Sequence, residues 1–189
     1  FLAHTKGRSP KLMMFLFTTS NKIGAKAIRW ALNEPVSHFA TVFDESENGY
    51  GIVFHSTLSG VEFAWWKDFY QHNKIVYALK PKYPSLINEE AVYQAFVGKH
   101  YGRAYDSLAF CAFSYYALRR KLTGTPIPER TTIGRSDRYL CTELAHEIKK
   151  LRPDFVPNKL ADELISPYSL YQNMKTSSEL EHVPWITSR

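Results

Sequence analysis

Cysteine is scarce. The chain has two, Cys111 and Cys141, in 189 residues. Two thiols make no disulfide framework. The seven histidines include no His-Glu-x-x-His, and no Cys-x-x-Cys occurs, so the usual zinc spacings are missing. His146 follows Cys141 by five residues and would point to another side of a helix. No metal and no cofactor is therefore expected. Long apolar runs are missing too. The uncharged stretch Ser107 to Leu118 falls well short of the roughly 20 residues of a membrane span. The block KLMMFLF has a basic flank, but its apolar core ends at Phe17. TTSNK follows without a small-residue cleavage pattern, so a buried strand is expected there and not a signal peptide. The first residue is Phe1, which leaves processing, trimming or a fragment open, and the compartment is not readable.

What is present is globular: 44% apolar and 22% charged residues, enough for one domain with a core. Lys and Arg number 24 against 18 acids, a formal charge of +6. That balance suits an anionic polymer or headgroup, although it bears on solubility first. The clusters Arg119-Arg120-Lys121 and Lys149-Lys150-Leu151-Arg152 fall where helices should end, and positive charge there complements the helix dipole without a ligand. No zinc-finger or RNA-binding aromatic signature accompanies them, so specific nucleic-acid recognition is not expected.

Strands are predicted at Leu12 to Phe17, Phe39 to Phe43, Ile52 to His55, Val61 to Trp65 and Lys74 to Leu79. Asp44 to Gly51 contains Asn-Gly and reads as a hairpin turn. Thr18, Thr19 and Ser20 read as caps for a helix whose stripe is Ile23, Ala27, Ile28 and Trp30 or Ala31, stopped by Pro35. Helices are also predicted over Glu89 to Lys99, over Asp106 to Leu122 as a buried helix, and from about Ser136 onward with the stripe Leu140, Leu144, Ile148 and Leu151. Thr123 to Arg135 is a proline-bearing loop, and Ser166-Pro167 opens a last short helix. The fold class expected is α+β: a small antiparallel sheet with helices packed on it, over residues 1–173, followed by a tail at 174–189.

Cys141 is expected about one turn inside the helix that starts near Ser136. Unpaired amides and the dipole at that end favour thiolate. Cysteine is also a common buried small hydrophobe, and Cys111, within an apolar helix, has packing as its expected role. His38 opens a predicted strand, and a base on a strand facing a thiol on a helix is the logic of thiol catalysis. His55 lies on the next strand and can approach His38 if the two strands pair. Either histidine alone is more often structural. Ser56 and Glu62 are the alternatives to His55 if the register slips.

The segments IRWALNEPVSHFATVF, GYGIVFHSTLSGVEF, YDSLAFCAFSYYAL, RYLCTELAHEI and ISPYSLY follow one another in an order that resembles the circularly permuted papain-like hydrolases of the NlpC superfamily. That group includes permuted amidase-like proteins and lecithin:retinol acyltransferase-like enzymes. The resemblance covers roughly residues 12 to 173. It implies a cysteine nucleophile at Cys141, a base at His38 and an orienting third residue at the position of His55. It also implies an acyl-enzyme route on amide or ester bonds: peptidoglycan stem peptides, other amides, or lipid acyl groups. The family's third polar residue varies, and the proline loop after Gly124 matches no motif of the family.

Three function classes follow. The leading one is a thiol hydrolase, including a cell-wall peptide amidase or endopeptidase. The second is a catalytically inactive structural or binding component of a larger assembly. The third is a lipid acyltransferase or phospholipase at membrane surfaces, resting on the +6 charge. The Trp65-Trp66 pair and the other aromatics suit an apolar acyl pocket or, more simply, the core.

Overall fold

The computed structural model describes residues 13–43, 51–83, 98–128, 141–156 and 165–184. The first strand, β1 (Met13–Thr19), is buried at all seven positions. It lies between two other strands with side chains covered on both faces, which is why MMFLF reads as a continuous apolar run and not as an alternation. Thr18 and Thr19, expected as caps, belong to this strand. Thr18 pairs with His38 and Ile75, and Thr19 with Lys74.

Helix α1 (Ile23–Leu32) starts from Lys22 with no side-chain cap and ends at Asn33, whose φ of 57° is a left-handed C-cap. The helix thus stops two residues before Pro35, because asparagine tolerates the left-handed conformation. Of the expected stripe, Ile28 and Ala31 pack, partly buried, against a cluster that contains Leu32, whereas Ile23 and Trp30 are exposed.

β2 (His38–Phe43), β3 (Ile52–Thr57) and β4 (Gly60–Trp65) pair antiparallel in sequence. Residues 44–50 of the expected hairpin turn lie outside the described residues, but Phe43 pairs with Ile52 at the turn end of the ladder. α2 (Trp66–His72) leads into β5 (Lys74–Pro81), which pairs with β1. The segment after Met174, expected as a tail, adds β6 (Leu180–His182) to β5, with Lys80 and Glu181 ion-paired at 3.1 Å. Among the described residues the sheet has six strands in the order β4-β3-β2-β1-β5-β6, all antiparallel neighbours. The fold is α+β, a small antiparallel sheet with helices packed on it.

Alternation sorts the strand residues onto two faces. One face presents Phe15, Phe17, Phe39 and Phe54 to Leu144 and Ile148 of α4 (Glu143–Leu151), to Phe155 of a 3₁₀ turn (Pro153–Phe155), and to Leu170 and Met174 of α5 (Pro167–Met174). The other presents Met14, Leu16, Ala40, Val42 and Val53 to Phe69 of α2. Ser166 caps α5 as expected: its Oγ accepts from the Ser169 amide at 3.0 Å, while its hydroxyl donates to Glu34 at 2.9 Å.

A separate cluster joins α1 to α3 (Ser107–Thr123) through Leu32, Phe113 and Ala117. Asp106 caps α3 by accepting from the Ala109 amide. The expectation of a buried helix holds for one side only. Ala109, Ala112, Phe113 and Ala117 are buried, but Cys111 is exposed and does not fill the packing role expected of it. Of the helix expected over 89–99, residues 89–97 lie outside the described residues. So do 129–135 of the proline loop and 136–140 of the expected nucleophile helix.

Gly60 is required where it stands. Its φ is 125°, and a Cβ there would come within 2.7 Å of the Arg103 carbonyl oxygen. That carbonyl accepts from the Val61 amide at 2.8 Å, so the start of β4 is closed onto the 100–104 segment.

Candidate active site

The register Ala40↔His55 puts those two side chains on one face, and His38, two residues before Ala40, shares it. His38 and His55 are therefore diagonal neighbours across β2 and β3, close enough for rings to touch. Their Nε2 and Nδ1 atoms lie 3.2 Å apart. Glu62, directly opposite His55 on β4, brings Oε1 to 3.9 Å from His55 Nε2. The same Oε1 accepts from the Thr57 hydroxyl at 2.8 Å, which holds the carboxylate in place. Phe69 of α2 covers both imidazoles, its ring 5.2 Å from His55 and 6.4 Å from His38.

This row was legible in part. His38 and His55 come together as expected, and Glu62, weighed as an alternative to His55, stands behind it instead of replacing it. Ser56, the other alternative, pairs with Val61 one residue out of phase and so points to the other face. Thr57 and Lys22 were not anticipated. Thr57 stands at the β3 end of the two-residue turn before Gly60, a position that places a hydroxyl near the first residues of the return strand.

Burial pushes the His38 imidazole down from 6.5 to about 3, helped by the His55 ring and the Lys22 charge. Burial likewise lowers His55 to about 4, against the opposing pull of Glu62. Both rings are neutral at neutral pH, so one must donate to the other. If His55 directs its Nε2 proton at the Glu62 carboxylate, its Nδ1 lone pair accepts from His38 Nε2–H. His38 Nδ1 is then left as the free lone pair. The reverse assignment points the His55 Nε2 lone pair at a carboxylate and is disfavoured.

Cys141 is placed differently from expectation. It lies in the turn ahead of α4, whose N-cap is Thr142, and not one turn inside the helix. It is half-buried and packs against the cluster that contains Phe39 and Leu144. That is the α4 side of the sheet, whereas alternation turns the imidazole pair toward α2.

A second charged row lies outside the expected site. His100, fully buried, has Nε2 3.3 Å from Glu147 of α4, whose carboxylate also takes Lys99 at 3.1 Å and Lys150 at 2.6 Å. It ties α4 to the 98–103 segment. Among the described residues no group of three or more His, Cys, Asp or Glu side chains is placed to hold a metal ion, and no helix is long and apolar enough to cross a membrane.

No family model matches the chain, and no curated protein matches it. Among solved structures it is similar to the metalloprotein yiiX of Escherichia coli O157:H7, described as DUF1105. The two are 15% identical, the match covers 95% of this chain and 99% of that one, and the TM-score is 0.48.

Proposed function

We propose that the chain is a thiol-dependent hydrolase acting on amide or ester bonds through an acyl-enzyme. The observation that carries this reading is the His38–His55 contact backed by Glu62. Three polar groups in a row, each on a successive strand, do what a base, an orienting residue and a charge anchor do in nucleophilic catalysis. Cys141 supplies the nucleophile: its thiolate attacks the carbonyl carbon, and His38 Nδ1 takes the thiol proton and returns it to the leaving group. First-turn amides of α4 stand beside Cys141 and favour negative charge there, on the thiolate and then on the oxyanion. Water releases the acyl group. Cell-wall peptides are the substrate class the sequence resemblance favours, with lipid acyl groups as the variant on the same chemistry.

A second reading has its own observation. Cys141 packs on the α4 side while the imidazoles face Phe69 on the α2 side, and an imidazole held near 3 is a weak base for a thiol. Those features suit a fold kept as an inactive component of an assembly. Turnover decides between the two. A p-nitrophenyl ester or a thioester should be hydrolysed by the wild type with a burst, and not by Cys141→Ala or His38→Ala. Folded wild type without burst or turnover on any such ester, thioester or stem peptide overturns the hydrolase reading.

A further inference from the structure

Helix α3 is apolar on two sides and has a neighbour on only one of them among the described residues. Ala109, Ala112, Phe113 and Ala117 face α1 and the core. On the other side Leu108 is 49% exposed, Tyr115 61%, Leu118 41% and Leu122 72%, with Cys111 exposed among them. The spacing of these five is 3, 4, 3, 4, the seam one helix presents to another. From Ser107 to Leu118 the helix carries no charge, and a helix apolar all round is normally covered all round.

We infer that this seam is the contact between two copies of the chain, packed α3 against α3 in antiparallel fashion. Three features choose this occupant. The 3-4 repeat matches a helix and not an extended peptide. The seam is nearly symmetric about Tyr115, with Leu108 and Leu122 each seven residues away, as a two-fold contact between identical helices needs. Arg119, Arg120 and Lys121 are gathered in the last turns. Parallel pairing would set these cations against their copies, while antiparallel pairing separates them and lays each set by the uncharged start of the partner helix. A lipid surface fits less well. An in-plane membrane helix carries its cations along a polar face, but the face of α3 opposite the seam is apolar and packed on α1. Trp30 of α1 is also exposed, with Lys121 Nζ 5.7 Å from its ring centroid near the end of α3. One helix face is a small interface, so the dimer should be weak, with a dissociation constant in the roughly micromolar range.

Sedimentation velocity of the whole chain from about 1 to 200 µM tests this. The expected result is a rise from monomer to dimer mass in the wild type, and monomer throughout for Leu118→Glu with Leu122→Glu. Both positions are exposed, so circular dichroism and Tm at low concentration should be unchanged. Orientation is read by oxidative crosslinking: Tyr115→Cys in a Cys111→Ser, Cys141→Ser background should link to itself, and Cys111 alone should not. A wild type that stays monomeric to 200 µM, or a dimer that persists in the double glutamate variant, overturns the proposal. Ready self-linking of Cys111 overturns the antiparallel arrangement. Co-sedimentation of a monomeric wild type with phosphatidylcholine–phosphatidylserine vesicles, lost in the same variant, assigns the seam to lipid instead.

Discussion

His38 Nε2 and His55 Nδ1 stand 3.2 Å apart, and Glu62 Oε1 lies 3.9 Å from the other ring nitrogen of His55. If the His55 Nε2 proton turns toward that carboxylate, His55 Nδ1 accepts from His38 Nε2–H and His38 Nδ1 keeps its lone pair. The chemistry open to the site follows from that assignment, because an imidazole with its Nε2 proton committed can act only through Nδ1.

Long-range nitrogen–proton spectra should therefore show His38 protonated at Nε2 near pH 7. Glu62→Gln should weaken the preference, since a neutral amide pulls less on the His55 proton. In turnover, Cys141→Ala and His38→Ala should abolish activity. His55→Ala should lower kcat by roughly 10- to 1000-fold in a folded protein, as an orienting residue does. Full activity in His55→Ala would leave a Cys–His pair alone, and an Nδ1–H tautomer at His38 would reverse the assignment.

The same two rings make stability depend on pH. In the unfolded chain each histidine takes up a proton near 6.5. In the folded chain His38 waits until about 3 and His55 until about 4. Between those limits the unfolded state binds more protons, so stability is full above pH 6.5 and falls as pH drops from 6.5 towards 3. Thermal melts from pH 7.5 to 4 should show Tm falling with acidity. His55→Gln should flatten that slope. An unchanged slope in this variant would mean the imidazoles do not drive the acid limb.

How much of this was readable in the sequence depends on whether a residue's neighbours are near it in the chain. β2, β3 and β4 were legible because their apolar residues and the turns between them are local, and that order alone brings His55 back to His38. β6 was not, because Leu180–His182 has three residues and no period; it exists through its pairing with β5, about 100 residues earlier. Thr18 and Thr19 look like caps because they are polar, yet both belong to a central strand, Thr18 paired on both sides and Thr19 with Lys74. Cys111 looked buried because an all-apolar helix does not say which side meets the core. Cys141 precedes its helix instead of lying inside it, because the Ser136–Asp137 capping signal stands several residues ahead of Glu143, where the helix begins.

Gly60→Ala should destabilise the fold by roughly 1–3 kcal/mol, since an L side chain at φ 125° is strained and its Cβ would meet the Arg103 carbonyl at 2.7 Å. Neither atom is the tip of a flexible side chain, so relief requires the Val61–Arg103 hydrogen bond to open. Urea melts of Gly60→Ala measure the loss. Serine at the same site should behave alike, because the clash is at Cβ. An alanine variant as stable as wild type would show that the 100–104 segment yields without cost.

The thiols give the sharpest contrast, because exposure and reactivity pull in opposite directions. Cys111 is exposed on α3, and Cys141 is half-buried in the turn before α4. If access alone governed alkylation, Cys111 would react first at every pH. A thiolate held by the first-turn amides of α4 reverses that order in mild acid, where an ordinary thiol with a pKa near 8.5 is almost wholly protonated. Iodoacetamide at pH 6 should therefore label Cys141 faster than Cys111. At pH 9 the gap should close or invert. If His38 serves Cys141 as the hydrolase reading has it, His38→Ala should slow Cys141 at pH 6 and leave Cys111 alone. Peptide mapping by mass spectrometry at timed intervals reads all three. Labelling of Cys111 first at both pH values would remove the activated thiol, and with it the hydrolase reading, while leaving the α3 seam untouched.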